Sequence, residues 1–89
     1  MIVHKPANKE HEINVGRPDV FNEEDRRYWL AFHNLVETCP QPIVVNAVYY
    51  DILDIITNHT GYGGGGFAYM FWFDSEEDKS EFVAAMKDL

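Results

Sequence analysis

The chain contains a single cysteine, Cys39, so no internal disulfide can form. It has no hydrophobic stretch near the roughly 20 residues that span a bilayer. Its first residues, Met1-Ile2-Val3-His4-Lys5-Pro6, offer no apolar signal-peptide core. These absences point to a cytoplasmic protein. Asn58-His59-Thr60 matches a glycosylation acceptor and is read as chance in that setting. Basic residues are scarce as well, 7 against 15 acids, and none lies between Arg27 and Lys79. Phosphate contacts need Lys and Arg, so a net charge of −8 argues against direct binding to nucleic acid or to an anionic membrane. Half of that charge sits in residues 67–89, where a basic protein surface is the favoured partner.

Motifs that carry chemistry are missing too. His4, His11, His33 and His59 are scattered singly, whereas zinc sites show ligands paired at short spacing. Cys39 stands before Pro40 at a helix end with no base assigned to it, so a packed thiol is expected. Asp51 and Asp54 are one helical turn apart, but no companion acid or histidine joins them, and a solvated face explains them. The glycine-rich run Gly61-Tyr62-Gly63-Gly64-Gly65-Gly66 leads into a strand rather than a helix and has no basic residue near it. This is unlike a phosphate cradle. No cofactor, metal or catalytic residue is expected.

What is present is aromatic. Thirteen Phe, Trp and Tyr residues give an 89-residue domain large buried areas per side chain. Phe67-Ala68-Tyr69-Met70-Phe71-Trp72-Phe73 carries no charge and reads as a strand. Phe67, Tyr69, Phe71 and Phe73 face one way, and Ala68, Met70 and Trp72 the other. Both faces are apolar, so both are expected to be covered.

The flanking elements follow from period and caps. Residues 1–10 read as an extended, flexible arm. His11–Val15 alternates polar and apolar as a half-buried strand, the best partner for the aromatic strand, with Ile2-Val3 as a second. Asn22 caps a helix over Glu23–Thr38, whose apolar stripe is Tyr28, Trp29, Phe32, Leu35, Val36 and Cys39. Between Ile43 and Thr60 the β-branched content favours strand, but the period is helical. A helix is expected, with strand Ile43–Tyr50 followed by a short helix as the alternative. Ser75 and Asp78 form a capping-box-like start to a last helix with Phe82, Ala85, Met86 and Leu89 as its stripe. The expectation is one α+β domain, β-α-α-β-α or β-α-β-β-α, around strand 67–73.

Asp74, Glu76, Glu77, Asp78 and Glu81 crowd the start of that last helix. Capping and the helix dipole account for most of them. They can also stand in for a run of phosphates before a basic groove. With Tyr62 and Trp72 they are the expected partner-binding residues.

Over Phe67 to Met86, the alternating aromatics, the run Asp74-Ser75-Glu76-Glu77-Asp78 and Phe82 resemble a strand–helix ending of small phage-encoded proteins. Small size, acidity and the lack of an enzymatic motif are similar to phage inhibitors of host defence, including anti-CRISPR and DNA-mimic proteins. That class is defined by size and charge, so it assigns no role to a residue here. The resemblance implies a non-enzymatic inhibitor that occupies the basic surface of a nucleic-acid-binding complex. The alternatives are a homo-oligomeric module that buries the aromatic strand between subunits, and a small enzyme or ligand-binding protein using the glycine-rich loop.

Overall fold

A computed structural model describes residues 2–3, 9–16, 19, 21–58 and 68–89. Phe67, Tyr62 and the rest of the glycine-rich run lie outside the described residues, so the expectations placed on them have no structural counterpart.

The chain is an α+β domain with a three-stranded sheet in which the aromatic strand is central. Strands β1 (Glu12–Val15), β2 (Ile43–Val45) and β3 (Tyr69–Phe73) lie in the order β1-β3-β2. Both outer strands run antiparallel to β3 and so parallel to each other. Helix α1 (Glu23–Thr38) links β1 to β2, and α2 (Ile52–Asn58) lies between β2 and β3. Helix α3 (Glu76–Lys87) follows β3. This is a β-α-β unit split by an antiparallel strand, with a helix added at the end.

Register sorts the side chains. Ile13, Phe71 and Val45 stand opposite one another, as do Val15 with Tyr69 and Ile43 with Phe73. Directly opposed residues share a face. Tyr69, Phe71 and Phe73 are buried here beneath the helices. Phe71 meets Phe32 of α1 at 5.4 Å between ring centroids, Tyr49 at 5.2 Å and Phe82 of α3 at 6.1 Å. Ile52 and Ile56 of α2 complete the cluster. The predicted α1 stripe is the stripe that packs: Trp29, Phe32, Val36 and Cys39 are buried, Tyr28 and Leu35 half-buried.

The expected cover on the second face does not appear among the described residues. Glu12, Trp72 and Val44 are opposed there, with Asn14 beside Met70, and none of the three α-helices packs on them. Met70 and Trp72 are half-buried. Among the described residues, the helices cover one face of the sheet.

Residues 43–58 correct the expected single helix. Ile43–Val45 is a strand, Ala47–Asp51 a 3-10 turn and Ile52–Asn58 an α-helix, so the alternative of a strand followed by a short helix holds, with the strand ending at Val45 instead of Tyr50. Three β-branched residues in succession found an open edge on β3, and tertiary pairing overrode the helical period. Asn46 fixes the switch. Its backbone N–H donates to Met70 O at 3.1 Å, and its side-chain Nδ2 donates to Ala68 O at 3.0 Å. The burial period survives: Tyr49, Ile52, Ile55 and Ile56 are buried while Tyr50, Asp51, Asp54, Thr57 and Asn58 are exposed.

Smaller corrections follow. Ile2 bridges Ile43, and the Val3 N–H donates to Ile43 O at 2.9 Å, so this pair sides with β2, not with β3. These two residues are therefore held against the sheet rather than in a free arm. Leu89 is exposed beyond the end of α3 instead of completing its stripe.

Candidate functional site

The predicted acids converge on one end of the sheet. Ser75 is extended and its Oγ accepts from the Asp78 N–H at 3.1 Å, which starts α3 directly after β3. Phe82 points into the core from the next turn. That fixes the rotation of the helix and sends its first-turn carboxylates outward. Asp74, Glu76, Glu77 and Glu81 are exposed, whereas Asp78 is half-buried.

Two of these acids are tied to opposite flanks of the sheet. His11 Nδ1 lies 3.3 Å from Glu76 Oε2, next to β1. Gln41, two residues before β2, donates from Nε2 to Glu81 Oε2 at 2.6 Å. Gln41 also accepts from Cys39 Sγ at 3.2 Å, so the buried thiol packs as expected. Glu77 and Glu81 are i,i+4 neighbours, a like-charged pair with a small cost when exposed. The carboxylates therefore spread across the start of α3 from the β1 side to the β2 side.

Trp72 belongs to the helix-free face rather than to this array. Its indole Nε1 donates to Glu12 Oε2 at 3.1 Å across the β1–β3 pair. Glu12 adjoins His11, so Trp72–Glu12 and His11–Glu76 make one corner where the acidic array meets the open sheet face. Sequence reasoning missed His11 and Glu12 as members. Only the Glu12–Trp72 register, which no local pattern announces, joins them.

A second polar group lies between α1 and the 3-10 turn. His33 Nδ1 is 3.2 Å from Tyr49 Oη, and the two rings stack at 6.1 Å. His33 Nε2 is 3.9 Å from Glu37 Oε1, one helical turn on. Burial, and after it the charge of Glu37 and the neighbouring Tyr69, push the Tyr49 hydroxyl well above its ordinary range. It stays neutral. Among the described residues no three His, Cys, Asp or Glu side chains are grouped to hold a metal ion. Asp51 and Asp54 are both exposed, and Asp54 accepts from Asn58 Nδ2 at 2.7 Å.

With this geometry in view, no protein-family model, curated protein or solved structure matches the chain. Among the described residues, no helix is long and apolar enough to cross a membrane.

Proposed function

We propose that the protein is a non-enzymatic, acidic protein-binding module that occupies a basic surface with the carboxylates at the start of α3. The observation that carries this reading is the anchoring of Glu76 and Glu81 to His11 and Gln41 on opposite flanks of the sheet. An array held by the fold loses less side-chain freedom on binding than a loose cluster does. Its size, its net charge of −8 and its spread of carboxylates fit a stand-in for nucleic-acid phosphates. The partner class we propose is accordingly a nucleic-acid-binding complex of host defence, inhibited as by anti-CRISPR or DNA-mimic proteins.

The experiment is a pull-down from host lysate over a salt series, with partners identified by mass spectrometry, using the native chain and a Glu76→Lys, Glu77→Lys, Glu81→Lys variant. The native chain captures a basic partner that is released as salt rises, since exposed charges are screened beyond about 8–10 Å at these ionic strengths. The variant stays folded and captures nothing. Full capture by the folded variant rules out the acidic array as the binding surface.

A second reading rests on the second sheet face, where Val44, Met70 and Trp72 are opposed or adjacent and, among the described residues, lie outside the core cluster that the helices form. Two copies joined through these faces would bury them. Light scattering then gives twice the 10.3 kDa chain mass. A single-chain mass at high concentration removes this reading.

A further inference from the structure

Between the second half of α1 and the start of α2 lies a cavity of about 440 Å³, within the usual size range for a small-ligand site. The His33–Tyr49 pair and Glu37 supply its polar lining, and Ile2, Ile52 and Leu53 its apolar walls, with Tyr50 beside them. We propose that this cavity binds an alkylammonium group, the charge at Glu37 and the hydrocarbon chain against Leu53, Ile52 and the Tyr50 ring. None of its lining residues belongs to the acidic array, so the proposal stands independently of the reading above.

Three observations carry it. First, among the described residues Glu37 is the one acidic side chain along the lining, and none of them is Lys or Arg. An anion would face uncompensated repulsion, and a purely apolar ligand would strip water from Glu37 without replacing its partner. Second, the buried Tyr49 hydroxyl along the lining is held neutral by burial and lies 3.2 Å from His33 Nδ1, so it supplies no competing charge. Third, Tyr50 is 49% and Leu53 42% exposed, two of the five large apolar side chains left in solvent among the described residues. Both stand at this one cavity, where a methylene chain would cover them and the Tyr50 face would attract a cation.

The amine can come from a small organic cation or from a lysine side chain, and the test separates the two. The full chain is titrated with n-pentylammonium, 1-pentanol and pentanoate while the methyl signals of Ile52 and Leu53 are followed by NMR. Pentylammonium gives saturable shifts, 1-pentanol binds about fivefold more weakly, and pentanoate more weakly still, as loss of one partly exposed ion pair requires. Glu37→Gln lowers pentylammonium affinity to that of 1-pentanol and leaves the far-UV circular dichroism unchanged. Leu53→Lys, at an exposed position and tested in parallel, also abolishes the preference for the amine. A lysine capped at both ends that shifts the same methyls as tightly as pentylammonium assigns the site to a protein partner. Binding of the free amine alone assigns it to a small molecule, and either result supports the cavity. Equal binding of all three probes, no saturable shift with the amine, or an unchanged preference in both variants overturns the proposal.

Discussion

Adjacent residues on β3 allow the one-sided core to be tested within a single strand. Phe71 is fully buried and touches rings from α1, α3 and the 3-10 turn, whereas Met70 is half-buried on the face without helices. Truncating a buried Phe to Ala costs about 3–5 kcal/mol through lost transfer energy and the cavity left behind. Met70→Ala removes side-chain surface that stays partly wet and costs about 1 kcal/mol. A domain of this length has a total stability of roughly 4–13 kcal/mol, so Phe71→Ala consumes a large share of it. Urea denaturation followed by tryptophan fluorescence resolves the pair. With a slope of about 1 kcal/mol/M, the midpoint falls by about 3–5 M for Phe71→Ala and by about 1 M for Met70→Ala. Phe71→Leu should fall between them, which keeps the comparison readable if the alanine variant unfolds. Equal losses at Met70 and Phe71 in dilute solution would refute a core confined to the helix side. A Met70→Ala loss that grows with protein concentration would point instead to a second copy on the open face.

Two further outcomes follow from specific contacts. Replacing Asn46 by Ala removes its bond to the Ala68 carbonyl and frees the end of β2, at a cost of about 1–3 kcal/mol in the same assay. Tyr49, whose hydroxyl is raised in the folded state, remains protonated where the unfolded chain ionises near pH 10. The folded state then binds more protons, so stability is fully present below pH 10 and falls above it by about 1.4 kcal/mol per pH unit from this group. A tyrosinate absorbance titration of the native protein against a Tyr49→Phe variant should show one phenol that resists ionisation above the ordinary tyrosine range and is missing from the variant, and identical curves would contradict the burial.

The elements that local chemistry dictates were legible in the residues. Asn22 accepting from the Asp25 N–H, Ser75 accepting from the Asp78 N–H and the Trp29-Phe32-Val36 stripe each depend on neighbours within four residues. Those patterns set the ends and the buried face of α1, and the start of α3. Ile43–Val45 was not legible in the same way. Its helical period and its β-branching disagree, and the choice fell to a strand 24 or more residues away that offered an unpaired edge. The period still marked which of Tyr49, Ile52, Ile55 and Ile56 would be buried, because burial is decided by facing the core whether the backbone turns as a 3-10 or an α-helix.

The same division runs through the candidate site. A cluster of acids before a capped helix is visible as a string, and the structure keeps four of the five exposed. What the string cannot carry is which flanking side chain each acid meets: His11 is 65 residues from Glu76 and Gln41 is 40 from Glu81. Such contacts are products of strand order, and strand order β1-β3-β2 brings the two chain segments to the two sides of one helix start. The His33–Tyr49 pair hides for the same reason. His33 sits at the edge of a helical stripe, where it reads as an ordinary flanking residue. It acquires a polar role only because the strand at Ile43–Val45 shortens the following helix, so that the 3-10 turn carries the Tyr49 hydroxyl back against α1. The stretch whose period and composition disagree thus supplies Tyr49, Tyr50, Ile52 and Leu53 to the cavity.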